Sequence, residues 1–383
     1  MRWEDFDPAI ERLYTANLRL VPGERVLVLT DRIRRDEVLS PPERTRRDAL
    51  PRLAERIATL GKRWGKTRLV SYPAAGSHGE EPPTPVWEAG FGSAAIQKLT
   101  EEKVFAKVLA KEITAVECEQ VAGYLERFKD EAVDVVIALA NFSTSHTQFR
   151  TLVTTAGRAR YASMPLFAPE MFAGPMAADW PQVAERSEAV ARRLTRAESA
   201  EIQTPAGTRL RLSLGNRQGH ADTGLLWQGG NFGNLPAGEA YIAPVEETAE
   251  GRLVIEHGPT GPLEGPISIP IHRGRATAVE GHGDHAAFLA GKLQDAPLNG
   301  TVAELGVGTN DRAINPYNIL EAEKILGTVH VAFGDNSTFG GTVRTPFHLD
   351  HVLFRPTLTL SYADGSSETL LKDGTLQNAP LRV

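Results

Sequence analysis

Asp134–Ala140 reads DVVIALA, six uninterrupted apolar residues behind an aspartate. An apolar run of that length, β-branched at its start, fits a strand buried on both faces, as in a parallel sheet covered by helices. The flanking sequence agrees. Glu24–Asp31 (ERVLVLTD) and residues 67–74 (TRLVSYPA) have strand texture, and a long Arg- and Ala-rich helix is predicted between them over roughly 41–64. A helix is predicted over residues 5–20 (DFDPAIERLYTANLRL), where apolar positions recur at helical spacing. Downstream, a polar helix with Thr147, Gln148 and Arg150 leads to the short strand ARYASMP at 159–165. Alternating strands and helices of this kind predict an α/β domain with a parallel sheet.

Residues 180–197 (WPQVAERSEAVARRLTRA) form the last long helical pattern before the texture changes. From Ala200 onward, short alternating strands are separated by Gly and Pro, among them EAYIAPVE (239–246), EGRLVIEHG (250–258) and TVHVAFG (328–334). That pattern predicts a mainly antiparallel α+β domain. The expected division is 1–197 and 198–383.

A chain of 383 residues exceeds one comfortable core, which agrees with two domains. The net charge of −6 argues against a non-specific nucleic-acid binder, which needs a basic face to neutralise phosphates. The lone Cys118 rules out a disulfide framework or a thiolate metal cluster within one chain. No stretch reaches the ~20 apolar residues of a membrane span, and Met1 is followed by Arg-Trp-Glu-Asp rather than an apolar leader. A cytoplasmic location without membrane or nucleic-acid partners is the expectation.

Polar residues set in strand-like or glycine-rich context concentrate after residue 230. Glu239 opens a strand behind the turn residues Pro236 and Gly238. Glu304 shares a strand face with Val302, Gly306 and Gly308, an apolar setting that is costly for a carboxylate unless it is paired or metal-bound. His330 lies between Val329 and Val331, with small Ala332 and Gly334 on its own face. His348 and Asp350, at i and i+2, point the same way while Leu349 points into the core. Three carboxylates and two imidazoles without a thiolate suit one or two divalent ions such as Zn, Co, Mn or Fe(II).

Other candidates have simpler readings. His282, Asp284 and His285 are expected to be a helix start with Asp284 as its N-cap. Ser143 and Ser145 lack the flanking glycines of a nucleophile elbow and are expected to cap a helix. Glycine-rich stretches such as Gly229–Gly233 lack nucleotide-binding context. Asp311, Arg312 and Asn318 are candidate pocket-lining residues.

The motifs NLPAGE (234–239), ELGVGTN (304–310), HVAFG (330–334) and HLD (348–350) occur in the order found in metallo-aminopeptidases of the aminopeptidase T type, a family this sequence resembles. The resemblance is dense over roughly 200–360 and continues weakly upstream, where PLFAPEMFAGPMAADW (165–180) sits like that family's inter-domain stretch. It implies two domains, a homodimer and a two-metal centre at Glu239, Glu304, His330, His348 and Asp350. The implied chemistry is metal-assisted removal of N-terminal residues from short peptides, with Glu239 as general base and Glu304 as bridging ligand. One position departs: Ser337 stands where those peptidases place a catalytic tyrosine. A related family, the 2,5-dihydroxypyridine dioxygenases, likewise lacks the tyrosine and shares the ending from Gly340 to Asp350 (GGTVRTPFHLD). That resemblance implies one Fe(II) held by two histidines and one aspartate, with histidine at the Glu304 position and no glutamate at the Glu239 position. Because both glutamates are present, the expectation is a metal-dependent hydrolase. The alternative is a non-haem Fe(II) enzyme that cleaves the ring of a hydroxylated N-heterocycle.

Overall fold

The computed structural model describes residues 2–259 and 261–377. It divides into two compact units, Met1–Ala177 with Gly224–Pro236, and Ala178–Thr223 with Ala237–Val383. The first is built on a five-stranded sheet ordered Lys66–Pro73, Arg25–Arg32, Val135–Ala138, Arg160–Ser163, Phe232–Asn234, with every pairing parallel. The DVVIALA run supplies its middle strand, and all four strand residues are buried. The long helix is Pro41–Gly61; Ser40 caps it by accepting the Glu43 amide, and Pro41 takes the first-turn position where a missing N–H costs nothing.

Three local expectations are corrected. Residues 5–20 are not one helix, because Trp3–Phe6 is 3₁₀, Asp7–Arg12 is α and Leu13–Asn17 is a π turn. The helix Gln148–Thr155 is capped by Thr147, whereas Ser145 shares a hydrogen bond with Ser163 and Ser143 accepts the Ser145 amide. Gly283 takes the cap position of the helix Asp284–Asp295, so Asp284 is its first residue and makes no capping bond.

Helix Trp180–Arg196 belongs to the second unit, upstream of the 197/198 division. Its buried stripe of Val183, Val190 and Leu194 packs on the strands His220–Asp222 and Glu239–Ile242. The segment Gly224–Pro236 then returns to the first unit and adds the fifth parallel strand. That strand, Phe-Gly-Asn, is too short and too exposed to show alternation.

The second unit holds two sheets, and each of the strand pairings that joins them internally is antiparallel. One has eight strands; the other has five, ordered His348–Leu353, Val329–Gly334, Val302–Gly308, Glu239–Ile242, His220–Asp222. Leu305, Val307, Val329, Val331 and Phe333 face a shared core with Leu253, Ile255, Ile267 and Ile269. The alternate residues of the same strands therefore gather on the sheet's other face. Among the described residues, no helix is long and apolar enough to cross a membrane.

Candidate metal centre

Strand register brings the five candidate residues onto that other face. Asp350 pairs with Ala332, which pairs with Glu304; His330 pairs with Gly306; His348 pairs with Gly334; and Glu239 pairs with Gly308. Small residues thus alternate with polar ones across the sheet. A Cβ on Gly306 would lie 1.9 Å from His330 Nε2, so the imidazole occupies the space that this glycine leaves. Lying there, Nε2 is 3.2 Å from Glu304 Oε1 and 3.4 Å from Glu239 Oε2.

His348 approaches from the edge strand. Its Nδ1 donates to the Asp335 carbonyl at 2.7 Å, which leaves Nε2 aimed inward, 3.6 Å from Glu304 Oε2 and 3.7 Å from Asp350 Oδ1. A ring nitrogen tied to a carbonyl is how a metal-binding histidine is usually oriented. Donor atoms sharing one ion at ~2.1 Å sit roughly 3–3.6 Å apart, close to these separations. Glu304, His330 and Asp350 also offer ligand atoms that all lie within 4.8 Å of one another. Asp350 Oδ1 and Glu239 Oε2 are buried without a hydrogen-bond partner, which leaves acceptors in want of a cation.

Sequence reading missed Lys324. This side chain is 0% exposed, and its Nζ donates to Glu239 Oε1 and Glu323 Oε1, each at 2.6 Å. Within ILEAEKILG, from residue 319 to 327, it looks like a solvated helical face. The helix stops at Ala322, and the following turn carries Lys324 inward. Removing one partner of such a buried pair typically costs about 3–5 kcal/mol, because the other charge is left uncompensated. Three aromatic groups were also unforeseen. Tyr241 stacks on His220 at 5.5 Å and meets the edge of Phe339 at 5.5 Å, and Phe339 in turn stands 6.1 Å from the His348 ring.

Charge balance explains the protonation of the cluster. Burial raises the Glu304 carboxyl, and it pushes Glu323 up to about 8. Burial alone would depress His330, but the Glu304 hydrogen bond and the charges of Glu239 and Asp350 outweigh it and raise the imidazole to about 9. His348 rises to about 10 against its own burial, chiefly through Asp350. Burial opposes ionisation of Asp350 too, yet the His348 charge holds that carboxyl well below the usual range. Protons therefore do in the metal-free cluster what a cation would do.

Raised imidazole values contribute stability that is complete below the unfolded value near ~6.5 and is lost as pH climbs through about 9 to 10. Chelator-treated protein should lose thermal stability over that window. A divalent ion must displace the His348 proton, so its affinity should rise with pH up to about 10. Calorimetry at pH 7 in buffers of different ionisation enthalpy should register proton release on metal uptake. Buffer-independent heats would contradict it.

Elsewhere, Ser337 turns back on its own loop, with Oγ donating to Asp335 Oδ1 at 3.0 Å. Asp311 is engaged by Arg186 at 2.5 Å, and Asn318 caps the helix Ile319–Ala322. His351 points to the opposite face, against Phe333 and His285. Among the described residues, His282, Asp284 and His285 form no group able to hold a metal.

The family NicX, 2,5-dihydroxypyridine 5,6-dioxygenase, matches residues 129–378, a span containing each residue of the cluster. The 2,5-dihydroxypyridine 5,6-dioxygenase of Pseudomonas putida KT2440 is 26% identical over 174 residues, which is 41% of this chain and 49% of that protein. The match thus spans about half of the relative's length. The solved structure of the 2,5-dihydroxypyridine dioxygenase from the same organism superposes with a TM-score of 0.68 at 19% identity, covering 99% of each chain. AmpT from Thermus thermophilus superposes at 0.55 with 14% identity, covering 98% of this chain and 99% of its own. Both superpositions bear on fold alone. They support the α/β and antiparallel α+β architecture and both resemblances drawn from the motifs. The aminopeptidase expectation is overturned, because the family match and the curated relative both carry the dioxygenase description. The reason is that glutamates at 239 and 304 supply oxygen donors to either chemistry, and residue type alone does not fix the reaction of a shared fold.

Proposed function

Since the chain belongs to the NicX, 2,5-dihydroxypyridine 5,6-dioxygenase, family, we propose that it is a metal-dependent dioxygenase opening the ring of a hydroxylated N-heterocycle such as 2,5-dihydroxypyridine. The observation that carries the reading is His348, tethered through Nδ1 and facing the buried Glu304 and half-buried Asp350 carboxylates through Nε2. The donor set is nitrogen and oxygen only, and it includes the orphaned Asp350 Oδ1, which suits Fe(II). Glu304, His348 and Asp350 would hold the ion, with His330 beside them. Bound there, Fe(II) would supply the one-electron chemistry that lets dioxygen react with an electron-rich ring.

Glu304 gives this chain a carboxylate where the family resemblance implies histidine. Two carboxylates and a neutral imidazole balance a divalent charge completely. The protein's own part is to orient and to exclude water. His330 keeps a proton beside Glu304, and burial pushes the Tyr241 phenol upward so that it stays neutral. His220, Tyr241 and Phe339 offer π-faces and edges suited to a planar ring.

The test is oxygen uptake by anaerobically prepared, Fe(II)-loaded protein given 2,5-dihydroxypyridine. Dioxygen consumption coupled to loss of the substrate's ring absorbance is the expected result. A loaded protein that consumes none with this or related hydroxypyridines would refute the reading.

A further inference from the structure

We propose that Lys324 is a built-in substitute for a second metal ion, its ammonium filling the Glu239 end of the cluster and limiting the centre to one divalent cation. The inference rests on reading the cluster as a metal centre. Five donors from four strands are enough for two ions, yet their surroundings are unequal. Asp350 Oδ1 and Glu239 Oε2 each lack a hydrogen-bond partner, but at the Asp350 end the neighbour is the carbonyl-tethered His348 imidazole, which can give up its proton to an ion. At the other, Glu239 Oε1 already holds the Lys324 ammonium at 2.6 Å, and the same ammonium is clamped by Glu323 Oε1 at 2.6 Å.

The lysine is fixed by its backbone as well as by its charge. Its carbonyl accepts the Asn310 amide at 2.9 Å, and its own amide donates to the Glu321 carbonyl at 3.0 Å. With the side chain wholly buried, the ammonium has no route to solvent by rotation. A divalent ion on Glu239 would stand within a few ångströms of this fixed positive charge, where little water screens the repulsion. Glu239 is thereby a positioning residue: Oε1 anchors the lysine, while Oε2 lies 3.4 Å from His330 Nε2.

The experiment is titration of metal-free protein with Co²⁺, with bound ions counted by native mass spectrometry and followed by visible absorption. The wild type should take up one ion. Lys324→Met leaves Glu239 and Glu323 without their cation and should take up two. Lys324→Arg, which keeps a positive charge at the Glu239 end, should still bind one. Two ions in the wild type, or one in a folded Lys324→Met protein, would overturn the proposal. Should Lys324→Met fail to fold, Lys324→Gln decides, because it also removes the charge: one ion bound by the folded Lys324→Gln protein overturns the proposal. No Co²⁺ bound to the wild type would instead overturn the metal-centre reading itself.

Discussion

Gly306→Ala is expected to unseat His330 from beside Glu304 and to weaken divalent-ion binding by roughly 10–100-fold, as loss of a ligand's neighbour does. The added methyl would lie 1.9 Å from Nε2, 2.2 Å from Cε1 and 2.6 Å from Cδ2 of a ring that is 1% exposed. Backbone cannot yield in the middle of a five-stranded sheet, so the imidazole must leave the carboxylates that it faces. Overpacking of this kind typically costs about 1–3 kcal/mol, and loss of the Glu304 contact should place this variant at the upper end. Urea unfolding of metal-free protein measures the first effect, and ion titration the second. Gly291→Ala is the control. It lies in the helix Asp284–Asp295, an added Cβ there meets nothing within 4 Å, and it should stabilise by roughly 0.5–1 kcal/mol. Wild-type metal affinity in Gly306→Ala would show that the imidazole does not depend on the glycine.

His348→Ala and Asp350→Ala should each reduce divalent-ion affinity by more than the roughly 10–100-fold lost when an outer-shell partner of a ligand is removed. Both residues are on the strand His348–Leu353 of the second unit, so the parallel sheet of the first should stay folded. Removing Asp350 also strips His348 of the charge that most raises its imidazole. Metal-free Asp350→Ala should therefore release the His348 proton at lower pH, visible by NMR titration. Full metal occupancy in either variant would remove that residue from the ligand set.

What the sequence makes legible follows from period. Buried parallel strands show as apolar runs, and DVVIALA identifies the middle of its sheet. Period-two alternation puts Glu304 with Gly306, and His348 with Asp350, on one face, and the strand register joins those faces. Lys324 stayed hidden because a buried ion pair needs its partners, and Glu239 lies 85 residues away in the chain. The tether on His348 stayed hidden for a related reason, since it is made by a backbone carbonyl, which carries no residue identity. The choice between hydrolysis and oxygen chemistry rests on the family match, because one fold carries both and the types of the donor residues do not separate them.

The route of the chain has a consequence for synthesis. The fifth strand of the parallel sheet, Phe232–Asn234, is translated after some fifty residues belonging to the other unit. At ~5–20 residues per second, the strand Arg160–Ser163 leaves the ribosome seconds before its partner Phe232–Asn234 exists. Those seconds are spent with unpaired backbone groups on a growing chain, the condition under which strands find wrong partners. Expression at low temperature lengthens that interval, and a gene cut at the first crossing, after Ala177, removes the partner permanently. Constructing either half alone therefore requires moving residues 224–236 to follow the first, not merely choosing a boundary.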